Sequence, residues 1–259
     1  MSRPIPQFNL QKLMVGWPKI AETHRNALGE GWGIGEELAR LHASALQQIS
    51  RSAGQHPTES DKAIIRLGCH GFNLYVSALS LITRGLFDVA SHLMRGLFDC
   101  QALLYATGSS EDLAKRFGDG SLAASDARKR LIETLNAAGE AETAERFERK
   151  YMEEREASNS LAHVSVIHAE KVLEVTEDVA TPVVLGRFDQ AECRNFWLIP
   201  LEQEFWMVTW LYALRRPLFH GEGIAQWEAM RRSFTKWFKA EAEKLGIQRI
   251  PKQEGETKR

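Results

Sequence analysis

The sequence is poor in the features that mark most small functional modules. It has only three cysteines, Cys69, Cys100 and Cys193, far apart and without a C-x-x-C pair. A disulfide framework or a zinc ribbon is thereby excluded, and three small buried apolar residues in a reducing compartment are expected. Charge of one sign is also lacking, since 33 Lys and Arg stand against 34 Asp and Glu. No global field concentrates a polyanion, so any nucleic-acid contact has to come from a local patch. The start, Met1-Ser2-Arg3-Pro4-Ile5-Pro6, lacks an apolar core; no signal peptide is expected, and the setting reads as cytoplasmic. Long hydrophobic runs are missing too. The most apolar stretch, 196–214, carries Pro200, Glu202, Gln203 and Glu204 near its middle. Acids there are expensive in hydrocarbon, so the stretch reads as a buried core helix and no membrane partner is expected.

Catalytic signatures are equally scarce. No nucleophile elbow, phosphate-cradling glycine loop or dinucleotide fingerprint occurs. The glycine-rich run Gly29-Glu30-Gly31-Trp32-Gly33-Ile34-Gly35 follows no strand and reads as a plain loop. His163 and His168 are five apart, a poor spacing for joint metal binding on a helix or a strand, and neither a metal nor a cofactor is expected.

What is present is helical patterning in a chain of 259 residues, 44% hydrophobic and 26% charged, an ordinary globular balance. Apolar residues recur at helical spacing. The expected helices are Leu10–Leu28, broken around Trp17-Pro18, and Glu36–Ser52. Thr58–Arg84 should be a central helix, apolar nearly all round, with Ile64, Leu67, Phe72, Tyr75, Val76 and Ile82. Thr58 with Asp61 three residues on forms a capping box that opens it. Arg-Gly-Leu-Phe-Asp occurs at Arg84–Asp88 and again at Arg95–Asp99; Gly85 reads as a helix stop, giving a helical hairpin of Thr58–Arg84 and Leu86–Ala106. Ser109 or Ser110 can cap a short helix over Glu111–Phe117. Leu122–Ala138 and a charged helix from Glu140 to about Ala162 should pair across Gly139. Lys171–Val175 and Val183–Leu185 are the only good strand candidates, a minor β-hairpin near 171–187. The apolar helix Gln190–Arg216 stops at Pro217 and Gly221. A last helix, Gly223–Leu245, carries Trp227, Met230, Phe234 and Trp237 amid Arg231, Arg232, Lys236 and Lys239. The domain reading is N-terminal helices over 1–57, a bundle core over 58–249 and a disordered tail over 250–259.

Two groups of polar residues can carry chemistry. Arg95 and Asp99 lie one turn apart on an apolar helix; they are either an exposed pair or, facing inward, a polar pocket bridged by further polar groups. Tyr151, Arg155, Ser158, Asn159 and His163 form the second group. Arg155, Asn159 and His163 share a helix face, where a cation, an amide and an imidazole could hold an anion or remain solvated surface.

The stretch 77–90, running into Leu93-Met94-Arg95-Gly96-Leu97-Phe98-Asp99, resembles an uncharacterised bacterial helical family. In that family a helix and tight turn lead to an Arg followed four residues later by an acid, usually Glu where this chain has Asp99. Tyr151, Ser158-Asn159 and His163-Val164-Ser165 resemble its later Tyr–Ser–His segment, so the likeness spans roughly residues 60 to 215. Such families are similar to the HEPN superfamily of helical bundles, many of them dimeric, metal-free ribonucleases. The resemblance implies an all-α, HEPN-like helical bundle, a homodimer, and a protein or RNA partner. It also implies a role for His163 as acid or base and for Arg155 or Arg95 at the phosphate. The HEPN nuclease motif is an Arg and a His separated by four to six residues. Arg51–His56 and Arg215–His220 fit, as many as chance supplies, and Pro217 interrupts the second. Arg155–His163 has too long a gap. The leading expectation is a non-catalytic bundle binding a partner or a phosphate-bearing ligand, with a polar core of Arg95, Asp99, Arg155, Asn159 and His163. The alternatives are a metal-independent ribonuclease toxin and a structural scaffold.

Overall fold

The computed structural model describes residues 10–162, 173–176, 179–182 and 190–245. The class is all-α, a helical bundle. Two units divide at Phe219 and His220. The first holds α1 (Leu10–Leu28), α2 (Glu30–Ala53), α3 (Glu59–Thr83), α4 (Phe87–Ser109), α5 (Glu111–Gly118), α6 (Ala124–Ala137), α7 (Ala141–Ala162), two short strands, α8 (Gln190–Leu214) and a 3-10 turn, Arg216–Leu218. The second holds α9 (Glu222–Lys244), which buries Trp227, Met230 and Phe234 along one side while Arg231, Arg232, Lys236 and Lys239 are exposed.

The hairpin of α3 and α4 is the centre of the first unit, and α8 lies against both. Local chemistry sets its ends. The Thr58 side chain accepts from the Asp61 amide while the Asp61 carboxylate accepts from the Thr58 amide, a complete capping box. At the other end Gly85, at φ +72°, donates to the Ile82 carbonyl and Leu86 donates to the Leu81 carbonyl. That pair of bonds needs a left-handed residue after the helix, which Gly adopts without a Cβ clash. Ser110 caps α5 by accepting from the Leu113 amide.

Close approach of α3 to its neighbours is built on its glycines: a Cβ at Gly68 would collide with Leu46 on α2, and one at Gly71 with Met207 on α8. Around this contact Ile64, Leu67, Tyr75, Ala78 and Ile82 of α3 are buried with Leu97, Phe98 and Leu104 of α4 and Trp197, Leu201 and Leu211 of α8. A second cluster forms where α6 and α7 pack on α4: Phe98, Ala102 and Ala106 meet Leu131, Leu135, Phe147 and Tyr151.

Arg215, just past α8, clasps three helix ends. Its Nε donates to Asp61 Oδ1 at 3.0 Å, Nη2 to Ser60 Oγ at 2.8 Å, and Nη1 to the carbonyls of Gly108 and Leu214. Burial pushes the Asp61 carboxyl up, but hydrogen bonds from Thr58 and Arg215 outweigh it and hold the group below its usual range. Arg215 is therefore a structural residue of the bundle.

Several sequence expectations are corrected. α1 runs through Pro18 without a break; proline removes one backbone bond and costs about 3 kcal/mol, which the other bonds of a 19-residue helix outweigh. The expected loop Gly29–Gly35 is the start of α2. Gly31 and Gly35 are spaced one turn apart, and their carbonyls accept from the Trp197 indole at 2.9 Å and the Tyr75 hydroxyl at 2.9 Å. At Gly35 an added Cβ would lie 3.1 Å from Trp197 Cζ2, and tertiary bonding overrides the weak helix propensity of glycine. Val76 is exposed rather than core, because it lies off the face of α3 that buries Tyr75 and Ala78. Cys69 is exposed for the same reason of phase, whereas Cys100 and Cys193 are buried. α8 ends at Leu214, before Arg216, because Pro217 forces a tighter turn. The strands β1 (Leu173–Thr176) and β2 (Val179–Pro182) pair antiparallel, Leu173 opposite Pro182 and Thr176 opposite Val179. The partner of β1 is thus not Val183–Leu185, which lies outside the described residues. A two-residue connection is the shortest that closes a hairpin, and it selects the nearer segment. Residues 250–259 also lie outside the described residues.

Candidate functional site

Four helices, α4, α6, α7 and α8, border a small cleft that opens to solvent. Its apolar walls are Phe98 from α4, Leu131 and Leu135 from α6, Phe147 from α7, and Trp206 and Trp210 from α8. Trp206 and Trp210 stack, ring centroids 5.8 Å apart, because residues four apart on a helix face the same way.

Set into those walls are polar groups. Gln101, Glu202 and Gln203 are all at most 3% exposed. Gln101 Oε1, Gln203 Oε1 and Trp210 Nε1 are buried and have no hydrogen-bond partner among the described residues. Leaving a buried polar atom unmatched costs about 1–3 kcal/mol. All three atoms belong to residues that line this one cleft. Arg146 of α7 stands at the mouth, its Nη2 2.5 Å from Glu202 Oε1, the arginine side chain 43% exposed and the glutamate 4%.

Next to the cleft lies the first sequence-predicted group. Asp99 is half-buried on α4, neither sealed in nor on open surface. Burial pushes its carboxyl above the usual carboxylate value, against a hydrogen bond from the Tyr151 hydroxyl and the positive charges of Arg95 and Arg128. Tyr151 is buried, its ring edge-on to Phe98, and the Arg128 guanidinium sits 4.2 Å from its ring centroid. The fold places Arg95, Asp99 and Tyr151 near one another, with Arg128 from α6 beside them. α7 carries Arg155, Ser158 and Asn159 in its last turns; their side chains, and His163 altogether, lie outside the described residues.

Sequence reasoning missed Gln101, Arg146, Gln203, Trp206 and Trp210, and used Glu202 only against a membrane span. A signal was there. Glu202, Gln203 and Glu204 are consecutive in the most apolar helix, and three consecutive residues sweep about 200° of a helix, so they cannot all avoid the core. Glu204 makes the deepest polar contact: its Oε1 lies 2.6 Å from His42 Nδ1 of α2, with both side chains fully buried. His42 packs edge-on to Phe72. Burial raises the Glu204 carboxyl above its ordinary value, and the His42 charge and hydrogen bond only partly oppose this. His42 Nε2 and Glu204 Oε2 have no partner among the described residues, and this pair stands apart from the cleft lining.

Among the described residues no three His, Cys, Asp or Glu side chains are grouped to hold a metal ion, and no helix is long and apolar enough to cross a membrane. Comparison with known proteins gave no match to a family model, a curated protein or a solved structure.

Proposed function

We propose that this chain is a binding module whose partner places a small polar group in the α4–α6–α7–α8 cleft. One observation carries this reading: the unmatched, buried Gln101 Oε1, Gln203 Oε1 and Trp210 Nε1 along a single aromatic-walled opening. A partner is favoured over a phosphate-bearing ligand. Among the described residues the cation that lines the cleft, Arg146, is paired with Glu202. Two of the three unmatched atoms are oxygens, which repel a phosphate. The HEPN-like likeness, a homodimeric state and a cytoplasmic setting belong to the same proposal. A metal-independent ribonuclease built on His163 and Arg155 is the alternative; among the described residues no histidine lines the cleft.

The test follows the Trp210 indole N–H in ¹⁵N-labelled protein, assigned by its loss in Trp210→Phe. Acetamide, methylguanidinium and inorganic phosphate are added separately at millimolar concentrations. A saturable shift with any one of them supports binding in the cleft; no shift with all three overturns it. RNA incubated with the protein in EDTA should stay intact. Degradation that disappears in His163→Ala would replace the binding module with the nuclease.

A further inference from the structure

We infer that the cleft is a receptor for a cationic head, a guanidinium or alkylammonium group, held in competition with Arg146. This rests on the proposal that the cleft is a binding site, and it names the chemistry of the occupant.

The inventory of the walls points to a donor. Gln101 and Gln203 each hold an unmatched carboxamide oxygen in the wall, both side chains 2% exposed. Glu202 adds a carboxylate, nearly as buried. An occupant that satisfies these acceptors has to bring several N–H groups and positive charge. Guanidinium carries five donors in a side chain and ammonium three, and neither offers an acceptor that would clash with oxygen. The remaining surface suits a cation as well. Phe98, Phe147, Trp206 and Trp210 are four aromatic rings bordering one opening, and a desolvated cation is attracted to such ring faces. Trp210 Nε1 is the one fully buried donor without a partner among the described residues that line the cleft. An anionic occupant would therefore meet the buried Glu202 carboxylate in the same wall.

The chain also supplies its own precedent. The Arg146 guanidinium already meets the Glu202 carboxylate at 2.5 Å, from a side chain nearly half exposed. Its half-exposed side chain can be displaced into solvent only in exchange for another cation, because the buried Glu202 carboxylate has to stay compensated. An incoming cation would take over the carboxylate and add the two carboxamide oxygens that Arg146 leaves unmatched. Arg146 is thus a built-in competitor that sets the threshold for entry.

Methylguanidinium, acetamide and inorganic phosphate separate the two proposals. A shift of the Trp210 indole signal by methylguanidinium alone is expected. A shift by acetamide or phosphate but not by methylguanidinium would overturn the cationic occupant and leave the cleft as a binding site. Silence with all three would end both. Arg146→Ala is expected to bind methylguanidinium about tenfold more tightly, since it removes the competitor for the Glu202 carboxylate. Added methylguanidinium at millimolar concentration should also raise the melting temperature of Arg146→Ala more than that of the wild type. Weaker or unchanged binding by this variant would overturn the competition. Glu202→Gln should weaken binding tenfold or more; should it fail to fold, Gln203→Met, which removes one acceptor at similar volume, should weaken binding severalfold, and full retention of affinity counts against the inference. A short peptide with a central arginine distinguishes the source. Tighter binding than methylguanidinium assigns the group to a protein partner, and equal binding to a free small cation; both support the shared chemistry.

Discussion

Removing the carboxylate of the buried His42–Glu204 pair should unfold the protein far more readily than replacing both residues. The two side chains are fully buried, 2.6 Å apart, and joined by one hydrogen bond, while His42 Nε2 and Glu204 Oε2 find no partner among the described residues. Each unmatched atom costs about 1–3 kcal/mol, so the pair as a whole contributes little net stability. Glu204→Ala leaves the imbalance worse, because the imidazole loses its only polar contact and a cavity opens beside it. Breaking such a pair costs about 3–5 kcal/mol. His42→Leu combined with Glu204→Met removes every unmatched atom while keeping the volume, and should recover most of that loss or exceed the wild type. Urea unfolding at pH 7, followed by helical circular dichroism, gives the three stabilities. A cost below about 1 kcal/mol for Glu204→Ala, or a double variant no more stable than the single one, would refute this account of the pair.

Three further outcomes follow. The Glu204 carboxyl is raised above its ordinary 4.5 by burial, so the folded state holds this proton more tightly than the unfolded chain does; its contribution is complete below pH 4.5 and is lost as pH rises through the raised value, and Glu204→Gln should flatten the stability profile above pH 4.5. Gly35→Ala should destabilise by about 1–3 kcal/mol despite the better helix former, since the new Cβ would sit 3.1 Å from Trp197 Cζ2 and 3.4 Å from the Tyr75 hydroxyl oxygen; a variant as stable as the wild type in the same urea experiment would contradict that packing. With a thiol reagent at neutral pH only exposed Cys69 should react quickly, because Cys193 is buried and Cys100 is buried with its thiol pushed up to about 12, whereas urea should release all three.

The frame of the bundle was legible wherever local chemistry decides. Thr58 with Asp61, Ser110, Gly85 and Gly139 mark helix ends through bonds that reach no further than a few residues, and each boundary could be read from those residues alone. Glycine at 31 and 35 could not be read that way, since its reason lies in Trp197 and Tyr75, far along the chain. The same limit applies to function. Asp99 stood out as a charge on an apolar helix and Tyr151 as one of a polar run, but Arg146 looks like any other charge on α7 until Glu202 is seen beside it. Gln101 and Gln203 become informative only when the fold leaves their oxygens unmatched.

The Arg215 clasp has a kinetic consequence. Its partners Asp61 and Ser60 lie 154 and 155 residues away in the chain, so the clasp can close only after the helices it ties have docked. Interactions absent from the folding barrier govern how slowly a protein comes apart rather than how fast it forms. Arg215→Lys, which loses the planar fork, should accordingly leave the refolding arm of a chevron plot in place and steepen the loss of native protein over time. The guanidinium acts as a latch on lifetime.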